Sequence, residues 1–236
     1  MSKREPFILT SQLHDRSFLQ RVEQAGFEPV HAPLIGTNYR VLRPVNLEKI
    51  ESCDWLVFTS QTAVHAYFSQ VSKPPTQKIA VVGSKTEKAL NSYGYRASFM
   101  PSTFSADVFV EEWNASPHVN ETVAFLKGNL AKPTIEAGLH SDVTAVCIYD
   151  TVTLHEHVET ITNLIQNHPQ LTLVFASPSA VEAYVAAGGT VQPNVIYCAI
   201  GHITKRAMTD HGFPVHVMPS VYTLDALLEQ RIHLEE

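Results

Sequence analysis

The sequence predicts an α/β protein of two parallel-sheet lobes that descend from a diverged duplication. Two near-copies of one phrase, FTSQTAV at Phe58–Val64 and FASPSAV at Phe175–Val181, lie 117 positions apart in a chain of 236 residues. The match extends outward, because VVGSKTEKALNSYGY around Gly83 aligns with AIGHITKRAMTDHGF around Gly201 at an offset of 118. Self-similarity at such a long period indicates repeated supersecondary units. Each copy also alternates strand and helix patterns, which favours parallel sheets with helices on both faces.

Ten short apolar or β-branched runs are the predicted strands. Those of the first copy are Phe7–Thr10, Glu28–Ala32, Trp55–Thr59, Lys78–Val82 and Arg96–Met100. Those of the second copy are Thr122–Leu126, Val143–Tyr149, Leu171–Ala176, Asn194–Ala199 and Pro214–Val217. Two five-stranded lobes are the simplest partition.

Amphipathic segments between these runs carry helix start and stop signals. Asp15 precedes SFLQRVEQA as a cap, and Gly26 follows that segment. Ser84 with Glu87 has the spacing of a capping box, and Gly94 is placed to end that helix. The sequence therefore predicts helices between the strands.

The assignment of strands to lobes is open on periodicity alone. Lobes of 1–117 and 118–236 would fit the repeat. An exchange of the first strand-helix-strand unit with its counterpart after Thr122 would fit equally well. That exchange would make PLIGTNYR and CIYDTVTL two crossing linkers, which side by side would form a hinge.

Composition narrows the class of protein. Hydrophobic residues make up 44% and charged residues 17%, and no apolar run is long enough to span a bilayer. The start MSKREPFILT lacks the apolar length of a signal-peptide core, and three cysteines suggest neither a disulfide framework nor a thiolate metal site, so the cytoplasm is expected. A net charge of −6 disfavours nucleic-acid binding, and no membrane contact is expected.

Candidate binding residues follow four predicted strands. Ser60 and Ser177 each end a strand and open a helix, and Gly83 to Thr86 and Gly201 to Thr204 do the same on the next strand. Hydroxyls, free backbone N–H groups and the positive helix terminus suit a carboxylate or phosphate. Plain helix capping is the favoured explanation of each serine or threonine when it is considered alone.

Two further candidates are a segment that differs between the copies and a tyrosine within a proposed linker. Lys127, Gly128 and Asn129 place a cation and a glycine where the first copy has Thr-Ser-Gln, which suggests use on one side only, with a solvated loop lysine as the equal alternative. Tyr149 lies within a linker segment, with a half-buried sheet tyrosine as the alternative. His155 and His157 are expected to be a solvated pair rather than a metal site. The sequence contains no serine-hydrolase elbow, P-loop or dinucleotide fingerprint.

Taken together, these motifs resemble the uroporphyrinogen-III synthase family. The ordered set that carries the resemblance is PLI, VFTSQTAV, AVVGSKTEKALNSYGY, PSTFSADVF, FLKGNLA, IYDTV, VFASPSAV and AIGHITKRAMTDHG, and it covers nearly the whole chain. The resemblance implies two α/β lobes joined by a two-stranded linker. The implied first lobe is 1–35 with 153–236, the second is 42–145, and the linker strands are 36–41 and 146–152.

The resemblance also implies an activity. Family enzymes convert hydroxymethylbilane, a linear tetrapyrrole with eight carboxylates, into uroporphyrinogen III by loss of water and inversion of the last pyrrole. The implied enzyme is a cytoplasmic monomer of haem, sirohaem and cobalamin precursor synthesis that uses no cofactor and no metal. Transient contact with the preceding pathway enzyme is the one protein partner that it suggests.

The family motifs assign roles to the candidate residues. Tyr149, followed by Thr151, matches the tyrosine that is the preferred proton donor in the family. Substrate-binding positions carried over are Ser60, Gly83, Thr86, Lys127, Gly128, Asn129, Ser177, Gly201 and Thr204. The chain departs from the family where an arginine commonly ends the first strand, since it reads Leu9-Thr10-Ser11-Gln12 there. A non-catalytic tetrapyrrole- or anion-binding module on the same fold is the alternative.

Overall fold

The computed structural model describes residues 4–13 and 15–234, so Met1–Lys3 of the expected non-signal N-terminus lie outside the described residues. The chain divides into two compact units. The first unit comprises Met1–Gly36 and Val152–Glu236, and the second comprises Thr37–Thr151. No helix within the described ranges has the length and apolar character needed to cross a membrane.

Strands and helices alternate along most of the chain. The strands are β1 (Pro6–Leu9), β2 (Glu28–His31), β3 (Ile35–Tyr39), β4 (Trp55–Phe58), β5 (Lys78–Val81), β6 (Val123–Gly128), β7 (Val143–Thr153), β8 (Leu171–Phe175) and β9 (Val195–Ala199). The helices are α1 (Ser17–Gln24), α2 (Pro44–Glu51), α3 (Gln61–Phe68), α4 (Ser84–Ser92), α5 (Ala106–Asn114), α6 (Thr134–Gly138), α7 (His155–Asn167), α8 (Pro178–Ala186), α9 (His202–Asp210) and α10 (Leu224–His233).

The first unit contains a parallel four-stranded sheet in the order β2-β1-β8-β9. Successive residues of β1 serve two cores, since Phe7 and Leu9 pack with helices α1 and α10, whereas Ile8 packs with the α7, α8 and α9 side. A strand covered on both faces must be apolar throughout, and all four residues of β1 are buried. The parallel α/β class predicted from the sequence is confirmed here.

The second unit contains a five-stranded sheet in the order β3-β7-β6-β4-β5. Strands β7, β6, β4 and β5 are parallel. Strand β3 runs antiparallel to β7, because Arg40 N donates to Ile148 O while Leu154 N donates to Leu34 O, each at 2.9 Å. The chain passes between the two units at residues 36–37 within β3 and at residues 151–152 within β7.

Two of the ten predicted strands are wrong. The segments predicted at Arg96–Met100 and Pro214–Val217 contribute only isolated bridges, Phe99 to Ala80 and Val217 to Cys198. Pro101 and Pro219 follow these segments and have no backbone N–H with which to extend a ladder. The prediction of two five-stranded lobes is therefore wrong, because the first sheet has four strands and the second reaches five by adding β3.

Helix ends agree with the predicted stops better than with the predicted starts. Gly26 and Gly94 follow α1 and α4 with φ of 95° and 85°, a left-handed conformation that glycine adopts without steric cost. The predicted capping box at Ser84 is wrong, because the extended residue before α4 is Gly83, whose carbonyl accepts from Thr86 N and Glu87 N. Asp15 lies one residue before the N-cap Arg16, and its carboxylate accepts from Ser17 N at 2.8 Å.

One buried cation connects α10 to the first sheet. The side chain of Arg231 is 0% exposed, and its guanidinium lies 5.2 Å from the centre of the Phe27 ring. Its Nε donates to Thr172 Oγ1 and its Nη2 donates to Glu5 Oε1, each at 2.7 Å. A charge removed from water in this way needs such partners, so the network ties the last helix to the starts of β1 and β8.

Candidate functional site

Three neighbouring strands of the second unit end beside one another at the carboxyl edge of the sheet, where the longer β7 runs past them. Ser60 follows β4, Gly83 follows β5, Gly128 ends β6, and Tyr149 lies opposite Gly128 in β7. Ligands of open parallel sheets bind at this edge. Ser60, Gly83 and Gly128 therefore lie at this edge, and Tyr149, which the sequence placed in a linker, lies in β7 beside them.

Ser60 and Tyr149 are in direct contact. Ser60 has extended backbone before α3, and its Oγ accepts a hydrogen bond from Ala63 N at 3.1 Å as a helix N-cap. The same Oγ lies 3.1 Å from the hydroxyl oxygen of Tyr149. Both side chains are half-buried. The hydrogen bond between them holds the Tyr149 hydroxyl at the first turn of α3.

Gly128 provides the space that the ring of Tyr149 occupies. The pairing of β6 with β7 shifts register between Lys127 and Gly128, which sets Gly128 opposite Tyr149. A Cβ at residue 128 would lie 2.4 Å from Tyr149 Cζ and 2.8 Å from its hydroxyl oxygen. Real Cβ atoms do not approach other atoms so closely, so glycine is required by the ring.

Asn129 fixes the backbone on either side of Tyr149. Its backbone N–H donates to Tyr149 O at 3.1 Å. Its side-chain Oδ1 accepts from Thr151 N at 2.8 Å, and its Nδ2 donates to Thr151 O at 3.2 Å. Gly128 and Asn129 thus contact β7. Both were predicted from the sequence as substrate-binding residues.

Lys127 is paired within the chain. Its ammonium forms an ion pair with the Glu136 carboxylate and lies 6.0 Å from the centre of the Phe125 ring. Its side chain is 20% exposed. The positive charge that the sequence suggested for an anionic ligand is therefore partly neutralised by a neighbour nine positions along the chain.

An ion pair lies next to Tyr149 in the sequence. Arg40 donates from Nε and Nη2 to the two carboxylate oxygens of Asp150, at 2.8 and 2.6 Å. This hydrogen bonding lowers the pKa of Asp150 below its usual value and raises the pKa of Arg40. The pair adds a side-chain connection to the β3–β7 ladder near the site.

Gly83 and Thr86 lie at the start of α4, directly after β5. Gly83 is extended with φ of −146°, so its backbone requires no glycine, and a Cβ there would meet only the Phe104 side chain at an ordinary 3.7 Å. Thr86 N–H donates to Gly83 O, and the threonine side chain is buried. Phe104 next to Gly83 is 58% exposed.

The first unit repeats these helix starts with different neighbours. Ser177 is the N-cap of α8, where its Oγ accepts from Ala180 N at 3.2 Å, and it lies 3.0 Å from Ser179 Oγ rather than from a tyrosine. Gly201 precedes α9 and Thr204 is buried in its first turn. A Cβ on Gly201 would lie 3.0 Å from the Tyr222 ring, which is itself 53% exposed.

Two exposed aromatic residues that lie beside the helix-opening glycines were not selected from the sequence. Phe104 and Tyr222 occupy the same position in the duplicated phrases PSTF and PSVY, and each lies against the glycine that opens a helix. The repeat alignment contained this signal. The ion-pair partners Glu136 and Arg40 carried no comparable signal, because nothing in their local pattern indicates the contact.

The expectation of a solvated histidine pair is wrong for His157. Its Nδ1 lies 2.6 Å from the Pro33 carbonyl oxygen, and the side chain is half-buried at the start of α7. His155 is exposed. Among the described residues, no cluster of three or more histidine, cysteine, aspartate or glutamate side chains is arranged to hold a metal ion.

Comparison with known proteins identifies the family. Residues 16–229 match the family model described as Uroporphyrinogen-III synthase HemD. The chain belongs to the uroporphyrinogen-III synthase family. The resemblance inferred from the motifs is thereby confirmed.

Relatives match over nearly the full chain. A protein of Methanocaldococcus jannaschii is 25% identical over 226 residues, which cover 90% of this chain and 91% of that protein. The uroporphyrinogen-III synthase of Chlorobaculum parvum is 22% identical over 234 residues, covering 91% and 93%. A crystal structure of a mutant uroporphyrinogen III synthase from Thermus thermophilus aligns with a TM-score of 0.65 at 16% identity, covering 98% of this chain and 100% of that one, which shows the shared fold.

Proposed function

We propose that the protein is a uroporphyrinogen-III synthase, a cyclising hydro-lyase of class EC 4.2.1.75 that converts hydroxymethylbilane into uroporphyrinogen III. The observation that carries this proposal is the family match over residues 16–229, supported by relatives that bear the enzyme's name. The contact of Tyr149 with Ser60 at the carboxyl edge of the second sheet supports the choice of this edge as the place where the reaction occurs.

The reaction begins with loss of the substrate's hydroxyl group. The bond from the hydroxymethyl carbon to oxygen breaks, its electron pair leaves with the oxygen, and a proton completes a molecule of water. The adjacent pyrrole supplies electrons to this carbon, which is then attacked by the substituted α-carbon of the last pyrrole. The bond from that α-carbon to its original methylene bridge breaks, and the freed methylene carbon bonds to the other α-carbon of the same pyrrole. Loss of a proton from that second α-carbon restores the aromatic ring, so the last pyrrole is inverted and the net change is loss of water. We assign the proton donation to the Tyr149 hydroxyl, since a phenol has one O–H to donate and a positioned donor accelerates such a step.

The substrate's carboxylates need favourable partners on a protein whose net charge is −6. We assign this binding to the duplicated helix starts: Gly83 and Thr86 in one unit, and Ser177, Gly201 and Thr204 in the other. Free N–H groups and the helix dipole stabilise anions at such positions. Lys127 would contribute only as far as its pairing with Glu136 allows.

The balanced reaction removes water without a net change of oxidation state, so it requires no redox cofactor, and the proposed mechanism includes no metal. The proposed enzyme acts as a cytoplasmic monomer in tetrapyrrole synthesis, with the preceding enzyme of the pathway as a transient partner. The lobes and linker strands inferred from the resemblance, 1–35 with 153–236, 42–145, and 36–41 with 146–152, belong to the same proposal.

The decisive experiment supplies freshly generated hydroxymethylbilane to the purified protein and separates the oxidised products by isomer. Predominantly type III porphyrin without added cofactor is expected, against type I in a reaction without protein. Only type I in both reactions would overturn the proposal and favour a non-catalytic tetrapyrrole-binding module.

Two sets of variants test the residue roles. Tyr149→Phe should slow turnover by about tenfold or more with the fold intact, because the donor oxygen is lost. Thr86→Ala combined with Thr204→Ala should weaken substrate affinity more than either change alone. Unchanged turnover, or an unchanged affinity in the double variant, would remove these residues from the proposed roles.

A further inference from the structure

Ser60 has a contact that its role as a helix cap does not explain. A serine hydroxyl offers one donor and two lone pairs. One lone pair accepts from Ala63 N, which satisfies the cap, and the remaining capacity faces the Tyr149 hydroxyl oxygen at 3.1 Å. Ser177 caps α8 in the same way without a tyrosine, so capping alone does not require this contact.

The direction of the Ser60–Tyr149 hydrogen bond decides whether Tyr149 has a proton to give. If Tyr149 donated to Ser60, its single O–H would be occupied. Ser60 Oγ already accepts from a backbone N–H at the positive end of α3, and hydrogen bonds in such a chain polarise one another, which strengthens the serine O–H as a donor. We propose that Ser60 is a positioning residue that donates its hydroxyl proton to the oxygen of Tyr149 and so directs the phenol proton toward the substrate's leaving hydroxyl.

Among the contacts of Tyr149 described above, only the one with Ser60 can orient its phenol O–H. The Tyr149 ring is seated on Gly128, and its backbone carbonyl accepts from Asn129 N. These contacts fix where the ring lies, but none of them engages the phenol oxygen. The Ser60 hydrogen bond also stabilises the charge that develops on that oxygen as its proton moves to the departing water.

The inference rests on the proposed synthase function, and it assigns Ser60 to Tyr149 instead of to the substrate. Removing the serine hydroxyl should therefore lower kcat and leave KM nearly unchanged. We expect Ser60→Ala to reduce kcat about tenfold, the effect of losing one hydrogen bond to a charge-bearing group. Ser60→Thr keeps both the cap and the hydroxyl and should recover most of that loss.

Two controls separate positioning from helix stability. Ser105 caps α5 of the same unit by accepting from Val108 N at 3.2 Å, so Ser105→Ala should cause a similar loss of Tm with unchanged kcat. If Ser60→Ala folds poorly, Ser60→Gly removes the hydroxyl at little cost, because glycine is tolerated as an N-cap.

The closing experiment measures kcat and KM for type III formation in wild type, Ser60→Ala, Tyr149→Phe and the double variant. We expect the double variant to match Tyr149→Phe, because Ser60 acts only through the tyrosine. A raised KM with unchanged kcat in Ser60→Ala, or a further loss in the double variant, would overturn the positioning role alone. Failure of the wild type to form type III would overturn both this role and the proposed function.

Discussion

The ring of Tyr149 occupies the space that any side chain on residue 128 would fill, with a Cβ there only 2.4 Å from Tyr149 Cζ. Gly128→Ala should displace the ring and break its hydrogen bond with Ser60. We expect turnover to fall at least tenfold and stability to fall by about 1–3 kcal/mol, the usual cost of overpacking. Enzyme assay and thermal unfolding measure the two effects.

Gly83→Ala is the matched control for stability, because its Cβ would meet Phe104 at an ordinary 3.7 Å. Its Tm should stay close to that of the wild type. A Gly128→Ala variant with the wild-type rate would show that the seating of the ring is irrelevant to turnover.

The pairing of Lys127 with Glu136 limits what the lysine offers to an anionic substrate. Glu136→Gln should free the ammonium group, and the KM for hydroxymethylbilane should fall by about two- to fivefold, as expected for one partly exposed charge interaction. Glu111→Gln removes the same charge from α5 of the same unit and is the control. Equal changes of KM in both variants would indicate a general charge effect and leave Lys127 without a binding role.

Arg231 should be the most sensitive charged residue of the first unit. Arg231→Met leaves the Glu5 carboxylate and the Thr172 hydroxyl without their guanidinium partner, and breaking a buried pair costs about 3–5 kcal/mol. Urea unfolding measures this loss. Arg206→Met, which removes an 85% exposed side chain, should cost under about 0.5 kcal/mol. Similar small losses for both variants would show that the buried network adds little stability.

The carboxylate of Asp54 predicts a pH dependence of stability. Hydrogen bonds from the backbone N–H and then the hydroxyl of Thr122 lower its pKa below the usual value. Since the folded pKa lies below the unfolded pKa of about 3.9, the contribution is complete above that pH and is lost as the pH falls through the folded pKa. Asp54→Asn should therefore show a shallower fall of Tm below about pH 4. Parallel curves for the variant and the wild type would contradict this.

Buried strands were the most predictable part of the fold. β4 and β8 are continuous apolar runs because both faces of their sheets are covered, and each predicted run holds the observed strand. Strand β3 was not among the ten strands predicted from local pattern, because IGTNY has little apolar character and is a strand through its pairing with β7. Only the family resemblance implied a linker strand there, at 36–41. The local sequence pattern predicts whether a segment is buried more reliably than it predicts the distant segment with which it pairs.

The same limit applied to the candidate site. Ser60, Gly128 and Tyr149 were all selected from the sequence, but the contact between Ser60 and Tyr149 spans 89 positions and depends on a register shift in β6. A spacing rule cannot predict such a shift. The residues were therefore predictable, whereas the partner of each residue was not.

The discontinuous first unit has a consequence for how the newly made chain folds. Strand β1 lies between β2 and β8, and Thr10 next to it bonds to Val174, a residue synthesised 164 positions later. At ribosomal speeds the interval is on the order of 10–30 s. Throughout that time an entirely apolar strand has one edge unpaired, while the contiguous segment Thr37–Thr151 can complete its own sheet. Until β8 has been synthesised, this edge of β1 is therefore open to pairing with other chains.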